Sequence, residues 1–197
     1  MFYQTTAVPA HGLRSDPFKA LVAPRPIGWI STLSAAGLVN LAPYSFFNAV
    51  AENPPYVLFS SDGRKDSLTN IEASGEFVCS IVSYDLREAM NATSAGVAPG
   101  VDEMALAGLE PAPCRLVKPP RVAAAPAALE CRLFQIVPLP TRGAGHFVVI
   151  GEVVGVHIED RFIVDGRVDT VAMRPVARMG YGDYVVVEGK FAMRRPG

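Results

Sequence analysis

Cysteine is scarce in this chain, with three residues in 197, at Cys79, Cys114 and Cys131. That is too few for a disulfide framework and too scattered for a paired-cysteine metal knuckle. Each sits among apolar neighbours, as in Phe77-Val78-Cys79, where a reduced thiol behaves as a small hydrophobe. Histidine is as sparse, and His11, His146 and His157 cannot build a metal centre alone; no metal is expected. No stretch is apolar for the length of a membrane span. The opening Met1-Phe2-Tyr3-Gln4-Thr5-Thr6 lacks the basic start and apolar run of an export signal. A soluble protein of the reducing cytoplasm, without a membrane partner, is the expectation. An excess of one charge is missing too. With 18 basic and 19 acidic residues the net charge is −1, which gives no electrostatic ground for binding nucleic acid. There is also no Gly-x-Gly-x-x-Gly after a strand and no Walker loop, which argues against a Rossmann dinucleotide site.

What the chain does have is apolar material cut into short pieces. Half of its residues are hydrophobic. That suffices for one domain spanning residues 1–197 and for a homodimer interface, which resembles a core cut in half. The 17 prolines and 17 glycines interrupt the chain too often for long helices. Ile27–Ser34 reads as a strand, Ala35-Ala36-Gly37 as a turn, and Leu38–Ala42 as the returning strand. Tyr56–Ser61 and Glu76–Val82 read as further strands. Asp66–Ser74 has helical character, with Asp66 and Ser67 as candidate caps and Gly75 as its stop. A second short helix starts at Asp85 and reaches Met90. The Pro/Ala/Gly-rich stretch 97–126, with one helical turn at Asp102–Leu106, reads as a connection wrapped over the surface. Ala128–Leu139 and His146–Ile158 are long apolar strands separated by Pro140-Thr141-Arg142-Gly143-Ala144-Gly145, and Met179–Glu188 reads as a last strand. Hairpins, a few short helices and no strand–helix alternation predict an antiparallel β-barrel with helical decoration.

Residues able to do chemistry gather at strand ends. Ser60-Ser61-Asp62-Gly63-Arg64-Lys65-Asp66-Ser67 closes one strand and opens a helix. It offers hydroxyl donors, a lysine charge and the free N–H groups of a helix start, which suit a phosphate monoester. It also reads as a polar turn with an ordinary cap. Asn40–Asn48 ends a strand and turns through Pro43 towards two adjacent aromatics. Phe46 and Phe47 cannot both point inward from one extended strand, so one of them faces a ligand, a partner subunit or a helix. His146 and His157 share a strand at opposite parity and so face opposite sides.

A set of segments then recurs in a familiar order. It begins with Arg25-Pro26-Ile27-Gly28-Trp29-Ile30-Ser31-Thr32, Gly37, and Asn40-Leu41-Ala42-Pro43-Tyr44-Ser45-Phe46-Phe47-Asn48. Pro54-Pro55, Lys65-Asp66-Ser67, Asn70-Ile71, Gly75-Glu76-Phe77-Val78 and Gly151-Glu152-Val153 follow, and Arg178-Met179-Gly180-Tyr181-Gly182-Asp183-Tyr184 closes the set. This series, from about Phe18 to Tyr184, resembles the flavin reductase-like family, whose members bind FMN in a split β-barrel. The resemblance implies a mainly β fold, an antiparallel split β-barrel of Greek-key type with a few short helices, and FMN at a homodimer interface. It places Asn40, Ala42, Pro43, Tyr44, Ser45, Phe46, Phe47 and Asn48 along the flavin ring edge and ribityl chain. It gives the 5′-phosphate to Ser60, Ser61, Lys65 and Ser67, with Asp66 in the same stretch. Ser31 and Thr32 would line the cleft, and Arg178 and Tyr184 would close over it.

His146 stands where a histidine of the reductase branch helps position the nicotinamide; a strand-edge histidine beside a glycine-rich turn is the other reading. His157 reads as a strand residue bonded to a neighbouring element, and Trp29 as a core or interface residue. The implied reaction is NAD(P)H-dependent reduction of FMN, with hydride passing from nicotinamide C4 to flavin N5 and an oxygenase or redox protein as possible partner. The alternatives are an FMN-retaining electron carrier and a flavin-dependent oxygenase. Segment 97–126 is longer and richer in proline and alanine than the well-characterised reductases are there, which leaves the entry to the flavin, and with it access of the nicotinamide, open.

Overall fold

In Gly28-Trp29-Ile30-Ser31-Thr32 successive side chains point to opposite faces of a strand, yet all five residues are buried in the structure, a computed structural model describing residues 1–5, 11–141 and 143–197. Both faces of this strand are therefore covered. Arg142, within the expected turn between the two long strands, lies outside the described residues.

The chain opens with helix α1 (Phe18–Leu21) and strands β1 (Arg25–Pro26), β2 (Gly28–Leu33), β3 (Val39–Tyr44), β4 (Phe47–Glu52) and β5 (Pro55–Asp62). Helix α2 (Asp66–Ser74), strand β6 (Glu76–Ile81), a 3₁₀ turn and α3 (Arg87–Ala92) follow. The next stretch holds α4 (Glu103–Leu106) and the short pair β7 (Pro111–Ala112) and β8 (Arg121–Val122). The long strands β9 (Ala127–Leu139) and β10 (His146–Ile158) precede the small hairpin β11 (Ile163–Val164) and β12 (Arg167–Val168). Helix α5 (Thr170–Met173), β13 (Val176–Arg178) and β14 (Tyr184–Val186) end the series.

The main sheet has the order β3-β2-β6-β9-β10-β5-β4, every pair antiparallel. Its two edge strands, β3 and β4, are joined by Ser45 and Phe46 alone. Laid flat, seven strands would span about 29 Å, whereas this link reaches only about 11 Å. The sheet must therefore curl on itself, and it closes into an antiparallel split β-barrel whose split lies between β3 and β4.

Ile30, Phe47, Phe59, Phe77, Cys79, Cys131 and Val149 fill the barrel, and Leu68 and Ile71 of α2 join them. Those two helix residues are fully buried and stabilise the plug by roughly 2 kcal/mol each. On the other face Ile27, Trp29 and Leu41 pack with Met90, Met104, Val122 and Ala125. Segment 97–126 thus contributes core side chains as it crosses the barrel.

Three local differences from the sequence reading have physical causes. Strand β4 was not foreseen: all its residues after Phe47 are exposed, so it lacks the alternation that marks a half-buried strand. The expected strand Met179–Glu188 is instead the hairpin β13–β14, whose turn is closed by Met179 N donating to Asp183 O at 2.9 Å. Helix α2 begins after Lys65 without a side-chain cap, while Gly75 ends it at φ 70° as expected.

Candidate functional site

The split opens into a cleft of about 500 Å³. Strand β3 supplies Asn40, Ala42, Pro43 and Tyr44, the link supplies Ser45 and Phe46, and β5 supplies Ser60 and Asp62. Lys65, Asp66 and Ser67 come from the start of α2, and His146 from the start of β10. Lys19 of α1, the turn after α3 and Glu103 of α4 complete the wall.

The start of α2 is built to receive a polar group. Its first turn has no side-chain cap among the described residues, so the positive end of the helix is open to a ligand in the cleft. Asn40 Nδ2 donates to Ser67 Oγ at 2.8 Å, which leaves the serine proton free to donate elsewhere. The hydroxyl of Tyr44 is buried near Ser61 and Ser67, yet makes no well-formed hydrogen bond among the described residues. Burial also pushes this phenol above its usual pKa. A buried, unpaired hydroxyl is costly unless something in the cleft meets it.

Phe46 stands at the split itself. Its carbonyl accepts from Ser60 N at 2.9 Å, and its ring centre is 6.4 Å from that of His146. His146 Nε2 lies 3.7 Å from Asp62 Oδ1, across the β10–β5 pair. Opposite, the Oε2 atom of Glu103 accepts from Leu41 N at 2.9 Å and so ties α4 to the edge strand β3. Burial raises the pKa of the Glu103 carboxyl, opposed by that hydrogen bond.

Several expected residues lie elsewhere. Ser31 and Thr32 are fully buried in β2: Ser31 donates to Pro120 O and Thr32 accepts from Asn70 Nδ2 at 3.0 Å. Phe47 points into the barrel, so close that a Cβ on Gly28 would lie 2.6 Å from its ring. Asn48 is exposed and accepts from the amide of Ala49. Ser61 donates to Gly63 O at 2.9 Å within its own turn. Arg178 and Tyr184 bond to each other on the C-terminal hairpin, and Tyr184 lines a separate groove with Tyr84 and Arg87. Period-2 alternation accounts for the Phe46/Phe47 division. Lys19, Glu103 and the turn after α3 were not singled out, because distant segments bring them in without a local motif, whereas Asp62 lies inside the polar stretch from Ser60 to Ser67.

Outside the barrel, Cys114, Glu130 and His157 offer ligand atoms all within 4.8 Å of one another, beside a cavity of about 370 Å³. The Glu130 carboxylate is already engaged. Arg115, Leu116 and Val117 donate their amides to it at 2.9, 2.6 and 3.1 Å, and His157 supplies the fourth partner. His157 therefore bonds a neighbouring element, on β9.

A split barrel with a polar cleft at its seam defines the class. Residues 21–172 match the flavin reductase like domain, and the chain belongs to that family. An uncharacterised protein of Deinococcus radiodurans is 39% identical over 98% of this chain and 88% of its own. Component B of nitrilotriacetate monooxygenase from Bacillus cereus superposes with a TM-score of 0.86 at 29% identity, covering 98% of this chain and 100% of that one. The 2-nitrobenzoate 2-nitroreductase of Pseudomonas fluorescens follows at 0.82 and 28%, over 96% of each.

Proposed function

We propose that this protein is an FMN-binding oxidoreductase that takes electrons from NAD(P)H, works as a homodimer, and hands electrons to an oxygenase or redox partner. The observation that carries the reading is the uncapped start of α2, beside Lys65, Ser60, Ser67 and the unpaired Tyr44 hydroxyl, in one cleft at the barrel seam. These donors fit a phosphate monoester and a polyhydroxyl chain: Lys65 supplies charge, the serines directional hydrogen bonds, and the helix end a favourable dipole. Asn40 positions Ser67, and Phe46 offers an apolar wall. When bound, FMN supplies the ring that accepts the hydride, so no protein acid or base is required for the transfer.

His146, beside Phe46 and Asp62, is suited to orient a second ligand. The homodimer is supported by apolar surface on the β9 arm, where Phe134 is 63% exposed. A partner oxygenase is supported by the likeness to a monooxygenase component B. The wall formed by the turn after α3 and Glu103 favours a second reading, in which FMN stays bound as an electron carrier or as the centre of a flavin-dependent oxygenase.

Titration with FMN, followed by anaerobic mixing with NADH or NADPH, tests both readings. Uptake and rapid bleaching support the reductase. Uptake without bleaching leaves the carrier or oxygenase, and a protein that takes up no FMN would sink both.

A further inference from the structure

Lys19 has no role in the reading above. It is exposed on α1, lines the cleft, and has no carboxylate within ion-pair reach among the described residues. Its ammonium instead stands 5.8 Å from the centre of the Phe46 ring, a contact worth little in water.

The helix backbone that carries Lys19 is held in place. Arg25, only 6% exposed, donates through Nη1 to the carbonyls of Lys19 and Val22, and through Nη2 to Met179 O at 2.7 Å. Its guanidinium is 5.9 Å from the same Phe46 ring. Gly180, in the β13–β14 turn, presses on the same helix: a Cβ there would lie 2.4 Å from the Ala20 Cβ. A four-residue helix with an exposed apolar end would be free to fray, but here it is fastened on two sides, with its lysine at the cleft. Of the three acids of the cleft, Asp62 faces His146, Glu103 holds Leu41 N, and Asp66 stands in the first turn of α2.

We infer that Lys19 and Phe46 form a second-ligand subsite beside the flavin cradle, which recognises an organic anion carrying a flat ring. The inference rests on the FMN reading of the cleft. Lys19 supplies the counter-charge, Phe46 the apolar surface, and His146 borders the ring. Two sources share this chemistry, an arene carboxylate and the nicotinamide–phosphate portion of a pyridine nucleotide.

The test is equilibrium titration of the FMN-loaded protein with benzoate and, separately, with NAD+ and NADP+, read by calorimetry and by the flavin absorption difference. Lys19→Ala is expected to weaken the preferred probe about tenfold, with Lys19→Arg restoring most of it. Lys118→Ala, an exposed lysine away from the cleft, controls for bulk charge and should change nothing. Loss confined to benzoate assigns the subsite to an arene carboxylate, and loss confined to the nucleotides assigns it to the electron donor. Equal binding of every probe by the parent and Lys19→Ala, or no binding of any probe, overturns the subsite. FMN affinity is measured on the same preparations. Unchanged FMN uptake with no effect at Lys19 defeats this inference alone, whereas failure of the parent to take up FMN defeats the flavin reading and this inference with it.

Discussion

His157 Nε2 lies 2.5 Å from Oε1 of Glu130, and that carboxylate also gathers three consecutive backbone amides, from Arg115 to Val117. One buried side chain on β9 thereby fixes the segment that precedes it and the far end of β10.

Removal of this carboxylate should be felt mainly in stability. Glu130→Ala strands three amides and costs about 3 kcal/mol. Glu130→Gln turns its NH₂ group against an amide donor and loses part of that. Burial alone would raise the Glu130 pKa, but the amides of Arg115 and Leu116 and the His157 contact outweigh it and hold the carboxyl below its ordinary value. A depressed folded-state pKa contributes stability above the unfolded value, about 4.3, which is lost as pH falls through the folded one. Thermal melts should therefore show a gap between the parent and Glu130→Gln that is widest at pH 6–7 and narrows below about pH 4. A gap constant down to pH 3 would contradict this account.

Glu103 predicts the opposite slope. Burial raises its pKa despite the Leu41 hydrogen bond, so its contribution is present below the unfolded pKa and declines as pH rises through the folded one. Glu103→Gln keeps an acceptor for Leu41 N and removes the charge. Its melting temperature should match the parent near pH 4 and exceed it at pH 8 by about 2–4 °C, for a gain on the order of 1 kcal/mol. A variant less stable than the parent at pH 8 would mean that the negative charge itself holds α4 to β3.

The contrast between these two glutamates shows what a sequence can and cannot disclose. Strands β2, β3, β5, β6, β9 and β10 were legible within a residue or two, because β-branched and aromatic runs end at glycine or proline. So was the polar stretch from Ser60 to Ser67, where hydroxyls, a lysine and a helix start are neighbours in the chain. Strand β4 was not, since an exposed edge strand such as Asn48–Glu52 carries no alternation. Neither glutamate declared itself. Glu130 and His157 meet because β9 and β10 pair, and Glu103 meets Leu41 because segment 97–126 packs on the barrel. Ser31 and Thr32 looked like cleft residues from their place at a strand end, but both faces of β2 are covered. Position along a strand gives parity; it does not say which face remains open.

Parity makes a prediction of its own. Phe47 is packed in the barrel against Gly28, and Phe46 lines the cleft. Phe47→Ala should cost about 3–5 kcal/mol, on the order of 10 °C in melting temperature. Phe46→Ala should cost about 1 kcal/mol or less while weakening whatever binds in the cleft. Melting curves and FMN titrations on both variants separate the two residues, and equal destabilisation would show that Phe46 is a core residue as well.

Lys65 should act on the phosphate of a flavin and not on its ring. Lys65→Ala is expected to weaken FMN by about ten- to a hundredfold and to flatten the dependence of FMN affinity on ionic strength, because a partly exposed charge is screened by salt. Lys65→Arg keeps the charge and should retain most of the affinity. Riboflavin carries the same ring and ribityl chain without the phosphate, so its weaker binding should be indifferent to either change. Ser67→Ala differs in kind, because Asn40 Nδ2 loses its acceptor and the loss should appear for riboflavin as well as FMN. If Lys65→Ala weakened both flavins equally, Lys65 would be acting on the ring or the fold, and the phosphate would have to be held elsewhere in the cleft.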